Sequence, residues 1–573
     1  MQNTYTFKQH FLLIILFGFL ALSLFSPIAS NEYLPNSQDF LNHIVSISEA
    51  KQALDQGQFP IRVAPDLYQH WQYPHYQFYS PLAYTIAGAI HQWLVPQNPF
   101  IAYKITLWLA LLLAGIFVFR LTLQFVESRF AALLSATLYL FSPYLMLNIG
   151  VRGDFTEALA TCLVPLTLYY SIQCHNKPAL NMFIATALAW FALATIHLVT
   201  FIFSSLFIGI FLICLNVQNN IPLKNLMMVG LAYGFSGLLA AWYWAPIILL
   251  QPYLYIHHAL ANPYYTNWLN PLSTLLSPSA VSPMPLPGNG KLPFPFYVGI
   301  GWPILIAVGV VIYKKVCEPT LKMPTFVTPL LFLFIFAFFI TWSPVNFWAY
   351  IPEYFKSLQF GFRILIQLMW MGALLFGWVI IELFQNKLDI RHIVLGILLI
   401  GIANGSWLLT GSSNDKKVAD LVQHPALYEW GARAYVISPL LFPHAPYPAH
   451  FLSVTQTEHI CYSEKSKLTC QISLPQATII QLPLLYYPNM LTIKVDGQSV
   501  HYQPIAATQK IENFTQINPL LASISLSQGT HTITAQFTGL KWANWISLSA
   551  WIGLLIALIW ARAPNKCKNK NLY

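Results

Sequence analysis

Two residues early in the chain have the types and the spacing for acid–base chemistry. Asp39 and His43 stand in the run Asn36-Ser-Gln-Asp39-Phe-Leu-Asn-His43. Residues four positions apart share one face of a helical turn. A carboxylate can deprotonate a hydroxyl group as a general base, and a neighbouring imidazole can orient that carboxylate or bind a metal ion. Asp39 and His43 are therefore candidate functional residues of the first long loop, placed to act together.

A second group of ionisable residues lies between two apolar segments. Arg152, Asp154 and Glu157 belong to the run Arg152-Gly-Asp154-Phe-Thr-Glu157. Charged side chains at the edge of a membrane are costly unless they are paired or functional. Asp154 and Glu157 can face one partner, either Arg152 or a metal ion. A helix cap, with Asp154 as the N-cap and Glu157 three positions on, is the alternative, and both interpretations stay open.

A third candidate, Arg363, ends the run Leu358-Gln-Phe-Gly-Phe-Arg363 and leads into another apolar segment. A guanidinium group at that depth can hold a phosphate with two parallel hydrogen bonds. The alternative is that its charged end reaches out to the membrane surface while its stem stays in the apolar layer.

An aromatic run follows the first group, and it predicts a sugar-binding surface. Sugar rings stack their apolar faces on aromatic side chains and hydrogen-bond at their edges, so we expect His75 and Tyr79 to contact substrate. An aromatic belt at the membrane interface is the alternative. The run consists of Tyr68-Gln-His70-Trp71, Tyr73-Pro-His75-Tyr76 and Phe78-Tyr79-Ser-Pro81.

The composition identifies the solvent for which the rest of the chain is suited. Of 573 residues, 56% are hydrophobic and 8% are charged, and the mean hydropathy is +0.55. Soluble domains carry about 25% charged residues, so most of this chain must lie in lipid. The net charge of +10 is spread over short connectors. Nucleic-acid binding, which needs a clustered basic patch, is therefore excluded.

Apolar segments of about 20 residues, the length that crosses a bilayer, recur along the chain. We predict an α-helical polytopic membrane protein of about twelve helices. The predicted spans are residues 11–30, 101–121, 130–148, 157–174, 179–196, 197–216, 225–246, 297–313, 324–342, 361–384, 392–410 and 543–561.

The positions of Lys and Arg predict the orientation. With residue 1 in the cytoplasm, every cytoplasmic connector carries positive charge, as the positive-inside rule requires. We therefore expect a plasma (inner) membrane protein with both termini cytoplasmic, large periplasmic or extracellular loops, and a first helix that is retained rather than cleaved. Residues 78–95 would reverse this order as a span, so we interpret them as a juxtamembrane or re-entrant helix.

The C-terminal part changes character at about residue 411. Period-2 patterns separated by turn signals such as Asp496-Gly497 predict a small extracytoplasmic β-sandwich. Cys461 and Cys470 fall in this segment, and their spacing suits a hairpin closed by a disulfide. The predicted domains are a transmembrane part (1–410) with a long first loop (31–100), a β-rich part (411–542), and a final helix with a basic tail (543–573).

Several of these stretches resemble known families. The topology and the Asp39-containing first loop resemble the GT-C glycosyltransferase superfamily. More closely, the chain resembles the bacterial membrane proteins called 6-pyruvoyl-tetrahydropterin synthase related, with their YfhO-type relatives. The matching stretches are Asp39 to His43 with Gly57-Gln-Phe-Pro60, Phe78 to Leu82, Tyr144 to Glu157, Leu358 to Arg363, Tyr486 to Met490, Val495-Asp-Gly497, and Gln528-Gly-Thr-His531.

The resemblance to GT-C enzymes implies a function. Such enzymes transfer a sugar from a polyprenyl-phosphate carrier to a glycan, lipid or protein acceptor of the cell envelope, beside the membrane lipids. It implies Asp39 as the base, His43 as its orienting partner or a ligand of a divalent metal (Mg²⁺ or Mn²⁺), and Arg152 and Arg363 as phosphate contacts. Asp154 and Glu157 would be further acids of the site. The first loop lacks a paired acidic dipeptide, which weakens the case for a two-carboxylate metal site.

Two other classes of function remain. A transporter or flippase for a lipid-linked substrate also needs many spans around a polar cavity, but it usually carries charged midplane residues and repeated halves, which this sequence does not show. A non-catalytic envelope assembly protein could keep the same fold and use its β-domain to hold partners.

Overall fold

Some of the apolar segments fold into helices that begin at a capping residue. Asn98 accepts hydrogen bonds from the backbone N–H groups of Phe100 and Ile101, and Ser128 accepts one from Ala131. Such side chains satisfy N–H groups that have no partner within the helix. A computed structural model of the protein describes residues 7–35, 37, 39–68, 70–256, 272–277, 299–352, 361–385, 387, 389–405, 413–423, 451–453, 461–464, 466–506 and 519–562.

The α-helices are numbered in chain order. They are α1 (Phe7–Ser23), α2 (Phe40–Asp55), α3 (His75–Phe78), α4 (Pro81–Trp93), α5 (Pro99–Val126), α6 (Arg129–Leu140), α7 (Pro143–Met146), α8 (Phe155–Asn176), α9 (Leu180–Ile196), α10 (Leu198–Gln218), α11 (Leu223–Leu239), α12 (Ala241–Leu250), α13 (Leu272–Leu275), α14 (Trp302–Cys317), α15 (Val327–Trp342), α16 (Leu365–Phe384), α17 (Ile390–Asn404), α18 (Val418–Gln423) and α19 (Lys541–Arg562).

Six helical segments of the described chain are long and apolar enough to cross a membrane. They are Pro99–Val126, Arg129–Arg152, Phe155–Asn176, Leu198–Gln218, Gly361–Phe384 and Lys541–Trp560. Helices α11 and α12 form a seventh candidate, bent by 76° at their junction.

The predicted number of twelve spans is not confirmed. The remaining predicted spans coincide with α1, α9, α14, α15 and α17, which are 15 to 17 residues long. At 1.5 Å per residue such helices extend about 22–26 Å, less than the roughly 30 Å of a bilayer core. Residues 78–95, predicted to be a juxtamembrane helix, contain the 13-residue α4.

The first loop is a folded layer rather than an extended connector. It contains α2, α3 and α4, and α2 packs along α4 so closely that a Cβ added at Gly88 would lie 2.8 Å from Ala50. The interior faces of this layer join the same hydrophobic core as the membrane helices.

The C-terminal strands form two sheets. The strands are β3 (Phe451–Ser453), β4 (Cys461–Glu464), β5 (Lys467–Leu474), β6 (Thr478–Leu485), β7 (Leu491–Val495), β8 (Gln498–Ser499), β9 (Gln503–Ala506), β10 (Leu520–Leu526) and β11 (Gly529–Phe537). One sheet has the order β3-β6-β10-β9 and the other β4-β5-β11-β7-β8. Two further strands, β1 (Tyr33–Pro35) and β2 (Ser413–Lys417), pair separately. Asp496 and Gly497, both at positive φ, make the tight turn between β7 and β8.

The first loop holds the β-domain by polar contacts. The backbone N–H of Phe537 donates to the Gln72 side chain over 3.1 Å, and that of Leu485 donates to the Trp71 carbonyl over 3.0 Å. Arg62 stacks on the Trp242 ring at 4.7 Å and donates to Asn544 of α19 over 2.7 Å. The first loop therefore links the helix bundle, the β-domain and the last helix.

A disulfide joins Cys461 of β4 to Cys470 of β5, which face each other across the pair. Cys317, at the end of α14, is exposed and free.

The exposed thiol of Cys317 permits a test of the predicted orientation. In intact cells carrying Cys567→Ser, a membrane-impermeant maleimide should label Cys317 only after permeabilisation. The buried Cys461 and Cys470 should be labelled only after both reduction and denaturation. Labelling of Cys317 in intact cells would reverse the predicted topology.

Candidate active site

Four charged side chains form one buried group, which we call the ion-pair cluster: Arg152, Asp154, Glu157 and Arg363. Arg152 donates to Asp154 over 2.9 Å and to Glu157 over 3.0 Å. Arg363 donates through Nε to the same Glu157 oxygen over 2.9 Å. Glu157 and Arg363 are 206 positions apart in the sequence. The fold thus brings together residues that the sequence analysis had to consider separately.

The local backbone explains how these groups meet. Residues Leu147–Arg152 form a π-helical turn that ends at Gly153, and α8 follows at once. Such turns are rare and occur often at functional sites. Asp154 caps α8 by accepting a hydrogen bond from the Glu157 backbone N–H over 3.1 Å. The two interpretations of this segment, helix cap and ion pair with Arg152, therefore both hold.

Asp39 lies beside the ion-pair cluster, but it forms no ion pair with any residue that the structure describes. Its backbone N–H donates to the Arg152 carbonyl over 2.8 Å, which fixes the start of α2 against the π-helical turn. Its side chain does not cap α2 and has no hydrogen-bond partner within the described residues, and the residue is partly exposed. Burial and the neighbouring Asp154 charge raise the pKa of Asp39 to about 7, against the opposing effect of Arg152 and Arg363.

His43 does not contact Asp39 through its side chain, in contrast to the predicted orienting role. Its Nδ1 lies 2.7 Å from the Tyr84 hydroxyl and its Nε2 lies 3.8 Å from Asp154. Burial lowers the pKa of His43 to about 4, so the ring is neutral at pH 7. His43 and Asp39 do lie one turn apart, and the His43 backbone N–H donates to the Asp39 carbonyl over 3.2 Å.

The aromatic run is mostly interior, so the prediction of a sugar-binding surface is wrong for Tyr68, Tyr73 and Tyr76, each at most 1% exposed. They pack inside the folded first loop, where no sugar can stack on them. His75 and Tyr79 were predicted to contact substrate. His75 is buried, with Nε2 3.2 Å from the Ser46 hydroxyl, and burial lowers its pKa to about 3.

Tyr79 is the more accessible of the two residues. It is partly exposed, its ring stacks on His43 at 6.4 Å, and its hydroxyl lies 2.8 Å from that of Thr156. Its substrate contact stays a prediction, as does that of His75.

Both arginines predicted to contact phosphate are engaged by carboxylates. Arg152 also donates to Asn148 over 2.7 Å and lies 5.2 Å from the Phe362 ring centroid, so most of its guanidinium is already bound. Arg152 therefore holds Asp154, Glu157 and Asn148 in place, and its contact with phosphate stays a prediction. Arg363 enters from a 3₁₀ turn, Gly361–Ile364, at the start of α16.

The described residues do not fit a Mg²⁺ or Mn²⁺ site. Within them, no three His, Cys, Asp or Glu side chains are placed to hold a metal ion. Asp154 Oδ2 and Glu157 Oε2 bind the arginines. Asp154 Oδ1 accepts from the Glu157 backbone N–H, and Glu157 Oε1 accepts from Tyr144. The divalent metal stays a prediction.

Three residues near the cluster were not identified as site residues from the sequence. Tyr144 donates a hydrogen bond to Glu157, and Asn148 accepts one from Arg152. His197, between α9 and α10, is buried and interacts electrostatically with all four members of the cluster. The sequence did contain a signal for His197: it stands between two apolar segments, and ionisable residues at membrane depth are rare and often functional.

Gly153 controls how closely the Asp39 segment approaches the cluster. Its φ is +65°, and an added Cβ would overlap the Phe40 ring and lie 2.8 Å from the Ser37 hydroxyl. We expect Gly153→Ala to lower the free energy of unfolding by about 1–3 kcal/mol, from backbone strain and overpacking. Gly209→Ala, in a helix with open space around it, is the matched control and should have no destabilising effect. Equal thermal unfolding curves for the two variants would contradict this packing.

The fold and the site define a class: a polytopic membrane protein whose helix bundle carries a buried ionic site next to a folded first loop, with a β-sheet region near the C-terminus. Residues 76–411 match the family described as "6-pyruvoyl-tetrahydropterin synthase related domain; membrane protein". The match covers more than half of the chain, and the protein belongs to this family.

Individual relatives are distant. An uncharacterized protein of Lactococcus lactis subsp. cremoris is 24% identical over 237 residues, which are 41% of this chain and 38% of that protein. Two cryo-EM structures of the arabinofuranosyltransferase AftD from Mycobacteria align with 71% of this chain at 13% identity, with TM-scores of 0.45 and 0.43. The aligned parts are 28% and 27% of those chains. This chain therefore spans well under half of the length of each.

Proposed function

We propose that this protein is a membrane glycosyltransferase of the GT-C type. It transfers a sugar from a polyprenyl-phosphate carrier to a cell-envelope acceptor on the extracytoplasmic face of the plasma membrane. The observation that carries the proposal is the state of Asp39, a partly exposed carboxylate with a pKa of about 7 and no hydrogen-bond partner among the described residues. General bases with a pKa near the working pH are the most effective.

In the proposed reaction, Asp39 acts on the acceptor and Arg363 acts on the leaving phosphate. Asp39 takes the proton of the acceptor hydroxyl while its oxygen attacks the anomeric carbon. The bond from that carbon to the phosphate oxygen breaks, and the lipid phosphate leaves with the electron pair. Arg363, at the edge of the ion-pair cluster, stabilises the charge that develops on the leaving phosphate. Arg152 and Glu157 hold Arg363 and Asp154 in place.

A transfer assay tests the proposal. The full-length protein in lipid nanodiscs is incubated with a panel of radiolabelled polyprenyl-phosphate-linked sugars and an envelope extract. Asp39-dependent appearance of label in the extract supports the proposal. The proposal is contradicted if the protein unfolds cooperatively, and so is folded, but transfers label from none of the donors.

The rate of transfer should depend on pH through Asp39. Only the deprotonated carboxylate acts as a base, so the rate should rise about tenfold per pH unit below the pKa of Asp39, about 7, and level off above it. His43 and His75, with pKa values of about 4 and 3, should not contribute between pH 5 and 9. A flat profile across this range would contradict the assignment of Asp39 as the base.

A further inference from the structure

His197 is a buried residue whose geometry points to a ligand. It joins α9 to α10 and is 4% exposed. Its Nδ1 accepts a hydrogen bond from the Thr200 backbone N–H over 3.3 Å and lies 2.7 Å from the Thr200 hydroxyl. The side chain is therefore fixed as the N-terminal cap of a 21-residue helix.

This capping bond fixes the position of the imidazole proton. A backbone N–H can only donate, so Nδ1 is the acceptor and a neutral ring carries its proton on Nε2. Because Nδ1 accepts a backbone hydrogen bond it holds no proton, so the ring is neutral in this arrangement. Among the described residues, the Nε2–H group has no hydrogen-bond partner, although Nδ1 has two.

His197 and Asp39 border the same ion-pair cluster. The charges that act on His197 are those of Arg363, Glu157, Asp154 and Arg152, and the same four act on Asp39. Asp39 offers an acceptor to this region, whereas His197 offers a donor. The first N–H groups of α10 add the positive end of a helix at the same place, where anions bind well.

We propose that His197 binds a phosphate oxygen of the lipid-linked sugar donor through its Nε2–H group. This inference rests on the proposed function and adds a binding residue to it. A neutral imidazole adds a hydrogen bond without adding charge to the cluster. The bond strengthens as the anomeric carbon–oxygen bond breaks and negative charge grows on the departing phosphate.

Binding of undecaprenyl phosphate to the full-length protein in nanodiscs tests the inference. We expect His197→Leu to weaken binding about tenfold to a hundredfold, the usual range for one hydrogen bond to a charged group. His197→Gln retains an amide N–H donor and should stay within about threefold of the unchanged protein. Equal binding by the His197→Leu variant and the unchanged protein would overturn the assignment.

A matched control and a second measurement separate binding from misfolding. His175→Leu removes another buried histidine, bonded to Asn216 at 3.0 Å, and should leave binding unchanged. In protein labelled with ¹⁵N-histidine, the His197 resonance is assigned as the one that is missing from the spectrum of His197→Gln. In the unchanged protein this resonance should show a protonated Nε2, and it should shift when undecaprenyl phosphate is added. An immobile resonance at saturating lipid would also overturn the inference.

The same binding assay compares undecaprenyl phosphate with other phosphate compounds. Phosphatidylglycerol in the nanodisc or inorganic phosphate, if bound as tightly and with the same dependence on His197, would overturn the lipid-linked donor as the ligand. The binding assay needs no turnover, so the two proposals can fail separately. If Asp39-dependent transfer occurs while His197→Leu binds normally, only the inference fails. If binding depends on His197 but no donor is turned over, only the proposed transferase activity fails.

Discussion

Asp39→Asn should reduce the rate of sugar transfer by about two to four orders of magnitude, the usual contribution of a general base. Asparagine has nearly the same shape but cannot accept the proton of the acceptor hydroxyl. The folded state should hardly change, because the Asp39 side chain does not cap its helix and makes no hydrogen bond to a described residue. Thermal unfolding in the same nanodisc should therefore be nearly that of the unchanged protein.

Asp55→Asn is the matched control for this prediction. Asp55 ends the same helix, is exposed, and bonds only to Lys51 and Gln92 among the described side chains. We expect this variant to transfer sugar at the normal rate. A folded Asp39→Asn variant that is as active as Asp55→Asn would remove the proposed base.

Glu157→Gln should have the largest effect on stability, a loss of about 3–5 kcal/mol in the free energy of unfolding. One Glu157 oxygen accepts from both Arg152 and Arg363, and the other accepts from Tyr144, at a site with no exposed surface. Removing one charge of a buried pair leaves its partners uncompensated, which costs this amount. The neutral amide would also turn an N–H group towards either the guanidinium groups or the Tyr144 hydroxyl.

Glu382→Gln is the control for Glu157→Gln. Glu382 lies near the other end of α16 from Arg363 and is 3.3 Å from Lys314, with 26% of its side chain exposed. Exposed ion pairs contribute about 0–1 kcal/mol, so this variant should unfold almost normally. Similar unfolding curves for the two glutamate variants would show that the ion-pair cluster is not the buried network described.

The sequence predicted the chemical groups of the site better than their partners. Arg152, Asp154, Glu157 and Arg363 were singled out by their position at the edge of an apolar segment, where charge is costly. Asp39 was singled out by its spacing from His43 in the first loop. Which acid would pair with which base depends on distances across helices that are remote in the sequence. The pairing of Arg363 with Glu157, and the absence of one for Asp39, could not be predicted from spacing.

The errors have physical causes of the same kind. The aromatic run was assigned to a surface because sequence alone does not show that the first loop folds into a packed layer, inside which Tyr68 and Tyr73 are buried against each other. His43 was paired with Asp39 on helical spacing, but the Tyr84 hydroxyl lies nearer to its ring. The hairpin at Asp496-Gly497 was predicted correctly because its signal is local, two residues that tolerate positive φ.

The proposed mechanism requires that Asp39 faces the acceptor hydroxyl while the phosphate lies towards Arg363 and His197. A cryo-EM structure of the protein with a non-transferable polyprenyl-phosphate-linked sugar and an acceptor tests it most directly. We expect the acceptor oxygen about 2.6–3.2 Å from an Asp39 carboxylate oxygen, within hydrogen-bond reach of the base. A sugar bound elsewhere, or an Asp39 carboxylate closed into an ion pair with Arg152 in that complex, would contradict it.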